Sequence, residues 1–222
     1  MAEPEPAGTS HRQVSGADLA AFEELYRLQA TQRAMRRLHP DPVPREHLER
    51  LVAAATRAPS GENAQPWAFV VVTDAETRAS LGRLYRQLTR PALWIVARVA
   101  RSESARRIQR SASHLGEHMG EAPAIVVVCM RQAYPRWLRA TRVGQWGSIF
   151  PAAQNLLLAA RALGLGSTLT TMHLMRHRRL KRILRIPRRY QVVAVIPVGF
   201  PKGRFGEGER RPVEEVLHWE RW

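Results

Sequence analysis

Three short apolar runs limit how this chain can fold. Trp67–Val72, Ala124–Met130 and Tyr190–Val198 are rich in Val and Ile and do not alternate with polar residues. Runs of that kind suit strands buried on both faces, in a sheet covered above and below. Stretches with helical spacing lie between them. Leu19, Phe22, Leu25 and Leu28 follow Ser15 and Asp18, which stand at capping-box spacing, and predict a helix over about 16–30. Leu48, Leu51, Val52 and Ala55 predict a second, with Pro44 in its first turn and Pro59 beyond its end. Asp74 caps a third that buries Leu81, Leu84 and Leu88. Pro151 reads as the start of the clearest helix, with Ala152, Ala153, Leu156, Leu157, Ala160 and Leu163 on its apolar face and Gly164 as its stop. A further helix is expected over about 174–185, and a short terminal element over Val213–Trp219. Residues 90–110 fit either an inserted helix or a lid, and 131–147 show no clean period. Helices alternating with a few buried strands argue an α+β or three-layer α/β fold.

The chain has 222 residues, 45% of them hydrophobic, enough for one large domain with a real core. Residues 1–14 read as a loose arm and 15–222 as a single domain. The one cysteine, Cys129, lies in an apolar run, so it reads as a small buried hydrophobe, with no intrachain disulfide or cysteine zinc cluster. No stretch reaches membrane-spanning length, and the acidic, Pro-rich residues Met1–Ser10 are unlike a secretory leader. A cytoplasmic protein is expected. Lys and Arg number 35 against 19 Asp and Glu, giving a formal charge of +16. That balance favours polyanions, acidic membrane surfaces or phosphorylated ligands without choosing among them.

Several groups of residues can carry chemistry. The polar loop Ser60-Gly61-Glu62-Asn63-Ala64-Gln65 opens into the first apolar run, and its two amides could read the carbonyl and N–H edge of a planar heterocycle. It is equally a turn. Arg33, Arg36 and Arg37, with Arg210 and Arg211 far downstream, offer forks suited to phosphate, or else a solvated face. Gly164 and Gly166, followed by Ser167, Thr168, Leu169, Thr170 and Thr171, allow backbone to approach a ligand closely, or mark a helix stop and an edge strand. His114, Glu117 and His118 match an inverted zinc-protease signature in letters, but no third ligand is specified. The basic stretch Arg176–Arg189 resembles a nucleic-acid or acidic-lipid face, although Leu180, Ile183 and Leu184 tie it to a core and no aromatic precedes Tyr190. There is no strand–GxGxxG–helix unit, no GxxxxGK loop and no GxSxG elbow.

The segments Arg33–Leu38 and Pro40–Pro44, the block Ala58–Trp67, the block Ala153–Ala160 with Leu163–Gly166, and the ending Gly199–Pro201 with Arg210–Val216 together resemble nitroreductase-family flavoproteins. The matches fall in family order over roughly residues 31–221. The resemblance implies a three-layer α/β/α fold with a central, mostly antiparallel sheet. It also implies an intertwined homodimer with FMN in the subunit interface. Carried over by position, Arg33, Arg36 or Arg37 and Arg210 or Arg211 would hold the FMN phosphate. Ser60, Gly61, Asn63 and Gln65 would line the ribityl chain and ring. Leu169, Thr170 and Thr171 would approach the reactive edge, Gly164 and Gly166 would shape the passage beneath it, and Ile149, Phe150 and Pro151 would pack near the flavin. The implied activity is hydride transfer from NADH, NADPH or a reduced deazaflavin to a small acceptor such as a nitroaromatic or quinone, with flavin N5 as the reactive centre and no catalytic side chain. Gln32 and Ala34 stand where many members have an Arg and a Ser, and Glu62 where a small residue is common. Residues 73–118 and 131–147 lie outside the resemblance and read as variable or lid segments. Two other readings remain open: a basic nucleic-acid or acidic-surface binder on this fold, and a flavin store or sensor without turnover.

Overall fold

A four-stranded antiparallel sheet, in the order β1 (Trp67–Val72), β2 (Ala124–Arg131), β4 (Tyr190–Gly199), β3 (Gly166–Ser167), carries the computed structural model. Residues 14–99, 102–131 and 139–222 are described. The expected arm lies outside them except for Val14, and so does 132–138 of the segment read as variable. In β2, Ala124 to Met130 are at most 2% exposed. Val126, Val128 and Met130 face a core shared with α2 (Arg45–Ala55) and α5 (Arg139–Ala162). Ile125, Val127 and Cys129 face another, shared with α3 (Ala75–Val99), α4 (Glu103–His118) and α6 (His177–Ile183). The three layers follow from a strand that is apolar on both sides. Burial is worth roughly 1.5–3 kcal/mol for each Val or Ile. It also pushes the Cys129 thiol up to about 11, which leaves it protonated.

The pairing of β2 with β4 slips between Val128 and Cys129, because Val193 is one residue too many. Val193 and Ala194 consequently both face the α2/α5 core, and the alternation resumes with Val192 and Val195 on the other side. Pro197 explains why β3 is two residues long. Gly166 pairs with Gly199 and Ser167 with Val198, and Thr170 exchanges both backbone hydrogen bonds with Val195 at 3.0 Å. In between, Thr168 would stand opposite Pro197, which has no N–H to give.

Several expectations change. Pro151 lies inside α5, which runs from Arg139, so Pro151, Phe150 and Ile149 are helical. The segment expected to be helical from 174 begins as a 3₁₀ turn, Met172–Arg176, and α6 is confined to His177–Ile183. Residues 90–110 hold the end of α3, which passes through Pro91, and the start of α4. The terminal element shrinks to the 3₁₀ turn Val213–Glu215. Ser15 caps α1 (Gly16–Thr31) through the Asp18 N–H as expected, and Asp74 accepts from the Thr77 N–H at 2.8 Å. Yet α1 buries nothing: Leu19, Phe22, Leu25 and Tyr26 are each about half exposed. No described helix is long and apolar enough to cross a membrane.

Candidate functional site

An early and a late segment of the chain, residues 30–39 and 200–208, are joined along one seam. The extended segment after α1 lies beside β3 and the residues that follow β4. The Met35 N–H donates to the Ser167 carbonyl at 3.0 Å, the His39 N–H to Phe200 at 2.8 Å, and the Lys202 N–H to the Arg37 carbonyl at 2.9 Å. Further along, the Gly208 N–H reaches the Ala30 carbonyl at 3.4 Å. Arg161, near the end of α5, fastens the seam. Its Nε donates to Thr31 Oγ1 at 2.9 Å, and its guanidinium lies 4.2 Å from the Phe205 ring centroid. Arg33 stands beside Gly206. Arg33, Arg37 and Arg211 are exposed, with no side-chain acceptor among the described residues, while Arg210 donates to the Glu209 carbonyl.

Arg36 leaves this group. It is half-buried and donates at 3.4 Å to Ser111 Oγ on α4, in a small cavity with Leu38, His114, His118 and Lys202. Extended backbone sends residues three apart to opposite faces, so Arg33 and Arg36 cannot serve one phosphate without a twist of the chain.

The Ser60–Gln65 loop is a strained turn. Glu62, Asn63 and Gln65 all have positive φ, at 55°, 51° and 43°, in a region costly for residues with a Cβ. Ser60 Oγ accepts from the Gln65 N–H at 3.1 Å, and Gln65 Nε2 donates to Asn63 Oδ1 at 3.0 Å. The Asn63 amino group and the Gln65 carbonyl then remain without partners among the described residues. This exposed pair offers N–H donors and a side-chain carbonyl acceptor to a planar ligand edge.

The loop lies far from the arginines of its own chain. The Gly61 N–H donates to Ser148 Oγ on α5 at 3.4 Å, whereas the arginine seam is held by Arg161 on the same helix. Thirteen residues of helix separate those contacts, about 20 Å at the α-helical rise. Near the loop, Ile149 is fully buried in the core, and Phe150 is 41% exposed with its ring 5.4 Å from Trp146. Pro151 is half-buried.

Chain packing accounts for both glycines. Gly164, at φ 71°, ends α5 in a Schellman turn: the Leu165 N–H donates to Ala160 at 2.8 Å and the Gly164 N–H to Arg161 at 3.1 Å. A Cβ on Gly166 would meet Met35 Cβ at 2.9 Å and both Leu38 and Pro201 at 3.0 Å. Beyond them Leu169 is half-buried and Thr170 buried, its Oγ1 2.8 Å from the Tyr85 hydroxyl, while Thr171 is exposed. Glu117 pairs with Arg86 and Arg90 across α3 and α4.

A family model described as the Nitroreductase family matches residues 30–200. The chain belongs to the nitroreductase family. A Thermus thermophilus NADH dehydrogenase is 29% identical over 189 residues, covering 84% of this chain and 91% of that protein. An iodotyrosine deiodinase solved with FMN and 3-iodo-L-tyrosine matches with a TM-score of 0.71 at 25% identity, over 89% of this chain and 100% of that one. A Desulfovibrio desulfuricans chain solved in complex with FMN gives a TM-score of 0.65 at 25% identity, over 89% and 97%.

Sequence reasoning missed three residues that anchor the segments around the candidate site. Arg161 and Tyr85 act on partners distant in sequence and carry no local signal. His173 is 1% exposed, its Nε2 3.4 Å from the Val192 carbonyl oxygen, and burial pushes its pKa down to about 4.

Proposed function

We propose that this nitroreductase is an FMN-dependent oxidoreductase acting as a homodimer. It would pass hydride from a reduced nicotinamide or deazaflavin donor to a small oxidised organic acceptor such as a nitroaromatic or quinone. The observation that carries this reading is the separation along α5. The arginine seam and the strained amide loop are complementary halves of a flavin site, a phosphate end and a ring end, and one chain holds them about 20 Å apart along the helix. A two-fold related copy packed against α5 sets the Ser60–Gln65 loop of one chain near the seam of the other. On that arrangement Arg33, Arg37 and Arg211 hold the phosphate, while Asn63 and Gln65 of the partner subunit meet the ring edge.

The fit rests on exposed guanidinium groups without side-chain acceptors among the described residues, carried by two segments whose backbones the seam holds side by side, and on an amide pair with N–H donors and a carbonyl left over among those residues. Bound FMN supplies two-electron chemistry, so no side-chain nucleophile is needed. The protein binds the phosphate, orients the ring and leaves Thr171 beside its edge. Unpartnered apolar surface supports the dimer. None of α1 is buried, and β1 is a sheet edge among the described residues, beside a groove of about 630 Å³ lined by Val43, Leu48, Val52, Phe69 and Val71 together with Arg45, Glu49 and Thr73. The chain's last residues expose Val213, Val216, Leu217, Trp219 and Trp222. A swapped tail covering the partner's sheet edge buries both surfaces.

Titrating FMN into apoprotein while following flavin fluorescence and sedimentation tests the reading. One FMN per chain in a dimeric particle is expected, with NADH or NADPH bleaching the bound flavin. A protein that stays monomeric, or leaves FMN free at micromolar concentration, would sink it.

A further inference from the structure

The basic stretch after the Thr170–Thr171 segment forms a cavity that the flavin reading leaves unused. It is an open groove of about 1170 Å³ between α6 and the start of β4. Arg178, Arg182, Arg185 and Arg188 line it, exposed and without side-chain acceptors among the described residues, and no carboxylate is in the lining. Lys181 has a different task. It donates to the carbonyls of Arg188 at 3.1 Å and Tyr190 at 2.6 Å, tying the returning chain against α6. Arg185 adopts a left-handed conformation, φ 52°, in that return. Leu174 and Ile186 add an apolar part to an otherwise cationic wall.

Position gives the cavity its meaning. The Leu174 N–H donates to the Thr171 carbonyl at 3.0 Å, so the rim begins one turn from the residue placed beside the flavin edge. A donor with its nicotinamide at that edge must carry its remaining half outward. We propose that this cavity seats the phosphorylated adenosine half of the donor and that its arginines make NADPH the preferred reductant. The inference rests on the flavin reading. NADPH and NADH share a pyrophosphate and an adenosine. They differ in one phosphate monoester, which carries close to two negative charges at neutral pH and matches the guanidinium fork. An exposed wall with four arginines lacking side-chain acceptors among the described residues discriminates on that group by charge, and the apolar part accommodates the adenine. Typical small-ligand sites span roughly 300–1,000 Å³, so the cavity is large enough for half a dinucleotide.

The test is the double variant Arg182→Ala/Arg185→Ala, at exposed positions away from the proposed flavin contacts. Calorimetry with adenosine 2′,5′-bisphosphate and rapid-mixing reduction of bound flavin by NADPH and by NADH are read side by side. The variant is expected to weaken bisphosphate binding and to raise the apparent Kd for NADPH about ten- to a hundred-fold, the range for losing charge-assisted contacts. The limiting rate of flavin reduction and the Kd for NADH should stay within about twofold. Equal use of NADH and NADPH by the unaltered protein, or NADPH affinity indifferent to the substitutions, overturns the inference while leaving the flavin reading intact. Tighter binding of inorganic tripolyphosphate or single-stranded DNA than of the bisphosphate overturns it too, in favour of a general polyanion surface. A protein that binds the bisphosphate through these arginines but never binds FMN keeps the adenosine phosphate site and overturns the flavin reading instead.

Discussion

The Tyr85 hydroxyl and Thr170 Oγ1 lie 2.8 Å apart, both buried, and join α3 to the segment that leaves β3. Thr170 also exchanges two backbone hydrogen bonds with Val195, so its side chain and main chain anchor the loop to different layers. Tyr85→Phe removes one partner and leaves a buried hydroxyl poorly satisfied. A loss of about 1–2 kcal/mol is expected in urea unfolding, with the midpoint lowered and the slope unchanged. Tyr85→Phe combined with Thr170→Val should cost less than the two singles added together.

His173 makes stability depend on pH. Its pKa is pushed from the ordinary 6.5 to about 4 by burial, so the unfolded chain takes up a proton more readily than the folded one. Its contribution is complete above pH 6.5 and is lost as the pH falls towards about 4, worth about 3 kcal/mol at most. Burial lowers His114 and His177 as well, in the same sense. Denaturant midpoints measured across that interval should fall steeply for the natural sequence and less steeply for His173→Gln.

Gly166 is a packing requirement at the seam. In Gly166→Ala the new methyl meets Met35, Leu38 and Pro201 at 2.9–3.0 Å. A cost of about 1–3 kcal/mol is expected from overpacking, visible as a lower Tm. FMN should bind more weakly as well, since the strand carrying Arg33 is displaced. A variant that melts normally and binds FMN normally would show that the seam yields.

The proposal of a site shared between two subunits makes a stoichiometric prediction. Arg33→Ala and Asn63→Ala should each abolish tight FMN binding. Mixing the two proteins and letting subunits exchange should restore about a quarter of the sites, because each mixed dimer has one site free of both substitutions. No recovery on mixing would place both residues in one chain's site.

The long strands were readable because a run without polar alternation can be buried only on both faces, as Ile125 and Val126 are. Ser15 and Asp74 announced their helices through their own side chains. Pro151 misled, since proline is favoured in a first turn and nothing local revealed that α5 continues through it. The glycines were visible but their purpose was not: Met35 and Pro201 reach Gly166 from the two ends of the chain. Arg36 was separable from Arg33 in principle, because an extended segment alternates its faces. Arg161, Tyr85 and His173 had no such signal, since each is defined by partners that only folding brings near.

At Pro197 the ladder lacks one proton, and a stretch of sheet remains unzipped. Any other residue there could donate to Thr168 and extend β3 toward Thr170, drawing Leu169 into line with the sheet. An imino acid in the middle of the molecule thereby leaves one peptide of its neighbour unpaired, and a mutation aimed at regularising the strand would redraw the backbone between Ser167 and Thr170.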